Sequence, residues 1–295
     1  MKRTFTATLA ALLGYSIFGF SFLFSSLALG LASPSVLLAY RFLVAFLVLN
    51  IILFVTKKKL SLSGKPVLKL LFMGLLQPVI YFICEAYGIS LTTASFSGVM
   101  IGLSPVAGVV IGAIFLKEKC TPLQLVCTFL SVAGVAMTTT GGFGSFSPLG
   151  FVLLLVSVVS AASFTAISRS LADSFSPFER TYVMFAMGSA VFLIMALFQN
   201  EPAELFRPLC EVKFIAALLF LAVLSSVCAF LLINFAVNHI SASHTLILSN
   251  FSTVISVLAG IFILGDSFAP LQIAGIVVII ISVFGVSYNK KEEKK

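Results

Sequence analysis

Gln77, Tyr81 and Glu85 recur every four residues inside the apolar stretch 67–89. On a helix this spacing advances the side chains by about 40° a step, so the three fall within an arc of about 80° and form one polar stripe. An amide, a phenol and a carboxyl in a row can hydrogen-bond a small polar solute as lining of a cavity. The carboxyl can also take up and release a proton. Glu85 is the one carboxylate well inside an apolar run, and burial disfavours its charged form, which makes it the candidate for proton coupling. Pro78 lies beside the stripe and frees a backbone carbonyl. In the plainer alternative, Gln77 and Tyr81 only hydrogen-bond neighbouring helices.

Arg41 stands about two turns into the stretch 35–56, at a depth similar to that of Glu85. A charge in hydrocarbon costs roughly 3 kcal/mol or more, so both residues should face protein or water, and pairing would reduce the cost. Such a pair would be a gate or a site for a solute headgroup, a static ion pair, or an arginine snorkelling to lipid phosphate. His244, near one end of the stretch 242–265, reads as a solvated end residue or a proton relay. Hydrolysis or group transfer would need clustered His, Asp or Glu, and the apolar segments offer little beyond Glu85, Arg41 and His244, so no membrane enzyme and no metal centre is expected. The five cysteines Cys84, Cys120, Cys127, Cys210 and Cys228 form no close pair of the kind that metal or redox sites use. Without a phosphate-cradling loop, no nucleotide is expected to drive the chemistry, and no cofactor is expected.

The elements that carry these residues follow from composition. Of 295 residues 60% are apolar and 9% charged, where a soluble surface needs about one-quarter charged. Lipid is the expected solvent. Apolar runs of roughly 20 residues predict helices over 7–29, 35–56, 67–89, 93–116, 122–140, 148–171, 179–198, 213–237, 242–265 and 270–288. The first run is longer than the apolar region of a signal peptide and is read as a span. The net charge of +8 is not arranged along an aromatic-interleaved face, so nucleic acid is not an expected partner. Of the 18 Lys and Arg residues, fifteen lie in or beside the segments on one side, Arg207 and Lys213 on the other, and Arg41 within a span. That bias places both termini in the cytoplasm.

The two halves of the chain look duplicated. A shift of 148 residues superposes Ala94-Ser95 on Ala242-Ser243, Ser104 on Ser252, Glu118 on Asp266 and Pro122-Leu123-Gln124 on Pro270-Leu271-Gln272. A further slip of three residues brings Ser131 to Val135 onto Ser282 to Val286. The expected units are 1–141 and 142–295, five helices each. A unit with an odd number of helices enters the membrane from opposite sides in its two copies, which gives an inverted pair around a midplane cavity, as in many secondary transporters. The expected fold is therefore an all-α integral membrane protein of ten transmembrane helices.

Arg41-Phe42, Ala94, Pro105, Glu118, Gln124 and Gly134 in the first half, with Ala242, Gly265-Asp266, Pro270, Gln272, Gly275 and Gly285 in the second, resemble the EamA family of the drug/metabolite transporter superfamily. The chain departs from the family's pattern at Thr253, which stands where the family has a proline. The resemblance implies a ten-helix carrier, in a bacterial cytoplasmic membrane, that exports a small metabolite such as an amino acid. It also implies that the helix with Ser97, Met100 and Ser104 contributes to the central cavity, and that Ser163, Phe164, Ser226, His244 and Asn250 are the corresponding lining candidates of the second half. The glycines of Gly98-Val-Met-Ile-Gly102 and Gly108-Val-Val-Ile-Gly112 are read as packing positions, with a kink at Pro105 between them. The same scaffold with an acidic cavity would suit a drug or toxic-cation efflux carrier, and an ion channel is a more distant alternative. The sequence implies no particular oligomeric state.

Overall fold

The computed structural model describes residues 2–57, 60–115, 122–139, 147–240, 242–264 and 269–289. These residues form helices and connecting turns, with no strand among them. In chain order the helices are α1 (Lys2–Leu29), α2 (Pro34–Thr56), α3 (Val67–Ser90), α4 (Ala94–Ile101), α5 (Ser104–Phe115), α6 (Pro122–Thr139), α7 (Pro148–Ser170), α8 (Pro177–Gln199), α9 (Pro202–Phe206), α10 (Val212–His239), α11 (Ala242–Ala259) and α12 (Pro270–Asn289). By length and composition, six of them (α1, α2, α3, α7, α8 and α10) can each cross a bilayer. Shorter apolar stretches lie at Phe96–Gly108, Phe251–Ile263 and Ile273–Ser282. Large apolar side chains also point away from the protein, with Phe54 85%, Phe198 88% and Phe262 81% exposed. Apolar helices with such an exterior are solvated by lipid, and the chain is an integral membrane protein.

Three long helices begin the same way. Ser33, Ser147 and Ser176 each precede a proline, and each hydroxyl accepts from the backbone N–H three residues on, at Val36 (3.4 Å), Gly150 (3.1 Å) and Glu179 (3.2 Å). Proline then occupies the first helical position, where its missing N–H costs nothing. At α8 the cap is reciprocal, because the Ser176 N–H donates back to Glu179 Oε2 at 2.8 Å. The predicted span 93–116 is two helices rather than one. Its break falls at Gly102 and Leu103, and Pro105 is the second residue of α5, so proline opens a helix here instead of kinking one.

The most extensive packing joins α6 to α12, α1 to α11 and α10, α2 to α8, and α3 to α7. Small residues permit the closest approach. A Cβ on Gly98 would stand 2.6 Å from the Ser256 Cβ, and the Gly98 carbonyl accepts from Thr253 Oγ1 at 3.1 Å. Thr253 thus ties α11 to α4. Between α2, α3 and α8 the core is aromatic, with the Phe42 ring 5.0 Å from Phe82, 4.9 Å from Phe185 and 4.8 Å from Phe192.

The two ends of α8 are held differently. At its start Arg180 is 0% exposed. Its Nη1 donates to the Ser168 carbonyl and hydroxyl, both at 2.6 Å, and Nη2 to the Asn234 carbonyl at 2.9 Å and to Asn238 Oδ1. Asn234 in turn accepts from Ser168 Oγ (3.0 Å) and donates to Thr181 Oγ1 (2.9 Å), which ties α7, α8 and α10 together. Charge counting along the sequence places Arg180 beside a loop, whereas the fold buries it. Next to it Glu179 accepts from the Ser61 N–H (2.9 Å) and from Lys65 Nζ (3.2 Å), which holds the turn between α2 and α3. At the far end of α8 the contacts are neutral and partly exposed: Ser33 Oγ donates to Asn200 Oδ1 at 2.6 Å, and Asn200 Nδ2 to Ser35 Oγ at 2.8 Å.

Glu179 completes a cap and anchors a turn, whereas the Lys65 side chain is 25% exposed and contributes the ion pair and a contact with the Phe175 ring. Glu179→Ala is expected to lower stability by about 1–3 kcal/mol and Lys65→Ala by less than about 1 kcal/mol. Denaturant unfolding in detergent micelles measures both, and equal losses would mean that the ion pair, not the cap, is what Glu179 contributes.

Candidate functional site

The site begins with an interruption of α3. Pro78 has no N–H to donate, and at Gln77 the backbone leaves the helical region (φ −142°, ψ 114°). In hydrocarbon an irregular stretch persists only where it is covered by protein; here the Leu76 carbonyl still accepts from the Tyr81 N–H, and α7 adds hydroxyl contacts. Ser160 Oγ donates to the Leu76 carbonyl at 2.7 Å, and Ser157 Oγ reaches the Tyr81 carbonyl at 3.2 Å. The broken stretch is thereby sealed against α7, and the stripe turns inward. Gln77, Tyr81 and Glu85 all line one cavity.

Tyr81 donates its phenol proton to Glu85 Oε1 at 2.6 Å, a length typical of a hydroxyl on a carboxylate. The second oxygen, Oε2, has no hydrogen-bond partner among the described residues. Across the cavity Arg41 is 2% exposed. Its Nε donates to Ser226 Oγ at 2.9 Å and its Nη2 to Ser225 Oγ at 3.0 Å, both on α10. The guanidinium carbon lies 4.4 Å from the centre of the Phe82 ring, a cation–π contact that covers one face. Nη1 has no protein partner among the described residues. Arg41 and Glu85 line the same cavity without closing to an ion pair. Among the described residues the ion pair within 4.0 Å is Lys65–Glu179.

Ser104 and Phe164 also line the cavity. Four other candidates do not. Ser97 shares a hydrogen bond with Thr92 at 3.1 Å, Met100 is wholly buried in the core, and Ser163 bonds back to the Val159 carbonyl at 2.8 Å. Ser226 stands behind Arg41 and orients it. The side chains of His244 and Asn250 lie outside the described residues. Sequence reasoning overlooked α1, whose Tyr15, Phe18, Ser21 and Phe22 all face the cavity. Their spacing marks one helical face, but an apolar face with one tyrosine does not differ from a lipid-facing one until its neighbours are known. Ser252 was within reach, because the shift of 148 residues pairs it with Ser104. Both line the cavity, and both hydroxyls bond back three residues, Ser104 to Ile101 at 2.6 Å and Ser252 to Ser249 at 2.5 Å.

The chain is matched twice by the model of the EamA-like transporter family, over residues 5–140 and 148–288. It is 34% identical over 296 residues to the uncharacterized transporter YcxC of Bacillus subtilis (strain 168), covering 98% of this chain and 95% of that one. A second protein of that organism, the uncharacterized transporter YyaM, is 26% identical over 96% of both chains. A crystal structure of a protein 15% identical superposes with a TM-score of 0.75 over 98% of this chain and 99% of its own, and so shares the fold.

Glu85→Gln keeps the shape of the side chain and removes its charge. In reconstituted vesicles the variant is expected to insert and fold as the wild type does, and to lose the pH dependence of solute flux. A Glu85→Gln protein with an unchanged pH profile would leave the carboxyl a purely structural part.

Proposed function

We propose that this chain, which belongs to the EamA-like transporter family and is a membrane transporter rather than an enzyme, exports a small zwitterionic metabolite such as an amino acid by alternating access. One observation carries the reading. A guanidinium and a carboxylate line the same cavity without pairing to each other, and Nη1 of the one and Oε2 of the other lack protein partners among the described residues. A solute carboxylate suits Arg41 and a solute ammonium suits Glu85. The aromatic walls contributed by Phe18, Phe22, Phe82, Phe164 and Phe230 suit the apolar remainder of such a molecule.

Several features support ten crossings in two inverted units, 1–141 and 142–295. The family model matches once in each half. The principal packing contacts are those that an exchange of halves would preserve. Helices α2 and α8, and likewise α6 and α12, are equivalents that pack on each other, and the α1–α10 contact mirrors α3–α7. The π-helical segments Leu75–Ile80 and Phe220–Ala229 each begin eight residues into their helices, α3 at Val67 and α10 at Val212. Discontinuous helices at equivalent places are the usual mark of a binding site in inverted-repeat carriers. Here α4 and α5 together make one crossing. The basic residues favour both termini in the cytoplasm of a bacterial cell.

Alternation requires that the cavity close at each end in turn. The Arg180 cluster and the Ser33–Asn200 contacts lie at opposite ends of α8, about 30 Å apart for a helix of its length. Each is suited to be the closure at its own side. The second reading, efflux of a drug or toxic cation, draws on Glu85 and the aromatic lining, but Arg41 in the same cavity would repel a cation.

Purified protein in liposomes is expected to exchange radiolabelled free amino acids saturably and to leave quaternary ammonium compounds in place. Ohmic current would make it a channel, and movement of the cations alone would favour the second reading. Single cysteines placed near Glu85 and near Asn234 are expected to change their reagent accessibility reciprocally when solute is added. Accessibility that stays constant at both positions would contradict alternating access.

A further inference from the structure

Ser225 and Ser226 are both 0% exposed, and neither lines the cavity, yet both hydroxyls are spent on a single guanidinium. Consecutive residues on an α-helix diverge by about 100° and do not ordinarily share a target. These two lie in the π-helical segment Phe220–Ala229, a form of backbone that recurs at functional sites. The serines take the Nε and Nη2 donors, Phe82 covers one face, and Nη1 is left without a protein partner among the described residues.

From this geometry we infer that Ser225 and Ser226 are positioning residues for solute recognition: they aim the Nη1 end of Arg41 into the cavity and so select a solute that bears a carboxylate. The physical point is the neutrality of the two hydroxyls. A carboxylate partner would orient the guanidinium equally well, but it would also neutralise it and leave little attraction for an anion. Hydroxyls orient without neutralising, so the positive charge stays available to the solute. Among the described lining residues the other charged one is Glu85, and the Arg41 charge separates a solute with a free carboxylate from one whose carboxyl is amidated. The inference rests on the amino-acid reading given above and assigns the part of the site that grips the carboxylate.

The test uses full-length protein in liposomes with radiolabelled L-alanine, L-threonine and L-leucine as substrates and unlabelled L-leucinamide as competitor. The variants are S225A/S226A and the conservative S225T/S226T, which keeps both hydroxyls. The expected result for S225A/S226A is a KM raised about tenfold or more, as loss of two hydrogen bonds to a charged group implies. Its maximal rate should stay within about twofold, and L-leucinamide, which lacks the carboxylate, should compete as weakly as it does with the wild type. S225T/S226T is expected to restore much of the KM. A wild-type KM in S225A/S226A would overturn the inference and leave the amino-acid reading intact. A loss of maximal rate and folded yield in both variants would also overturn it, since the serines would then serve only packing. Wild-type protein that moves none of the three amino acids would overturn the inference together with the reading beneath it.

Discussion

A guanidinium within the hydrocarbon layer has to find its hydrogen-bond acceptors inside the protein, and Arg41 finds two of them on Ser225 and Ser226. The cost of leaving it unsatisfied is several kcal/mol, which is a large part of what a membrane protein of this size has to spare. The contact joins α2 to α10 across a separation of 184 and 185 residues, and Phe82 on α3 is drawn in against the flat face of the same group. The position of these three helices around the cavity, and the polarity of its wall, both follow from how one arginine is solvated.

The same accounting explains why the irregular backbone lies where it does. A helix can be broken within a membrane only where something other than lipid satisfies its carbonyls. At the break in α3 the Leu76 carbonyl accepts from the Tyr81 N–H and from Ser160 on the facing side of α7, and Ser157 reaches the Tyr81 carbonyl. The break in turn places Gln77, Tyr81 and Glu85 against the cavity, so the proline and the two serines of another helix belong to the site as much as the stripe does. In α10 the irregular stretch carries Ser225 and Ser226 themselves. Both departures from regular helix are thus tied to polar groups at the cavity.

In the proposed cycle, closure of the two ends would rely on different physics. The Arg180 cluster is a buried cation satisfied by two backbone carbonyls, a serine hydroxyl and one asparagine side chain, while its Nε has no partner among the described residues. The Asn200 contacts are neutral and partly exposed, so water can replace them at little cost. In the proposed cycle the end with Arg180 is therefore the harder one to open. Glu179, one residue before Arg180, binds the turn between α2 and α3 and adds a first-half segment to that same closure.

Much of this was legible along the chain because it depends on local periodicity. Apolar run length predicted 148–171 and 213–237, and the helices are Pro148–Ser170 and Val212–His239. A spacing of four residues on one helix keeps Gln77, Tyr81 and Glu85 together whatever surrounds them, and all three face the cavity. The equivalence of Ser104 and Ser252 was visible in the same way. Periodicity determines which residues share a helical face but not what that face meets. Only tertiary structure decided that α1 turns Tyr15 and Ser21 to the cavity, that Arg41 is held by serines instead of Glu85, and that Arg180 is buried. Those outcomes depend on the rotation of each helix about its axis and on its choice of neighbour, and both are settled by contacts between residues far apart in the chain.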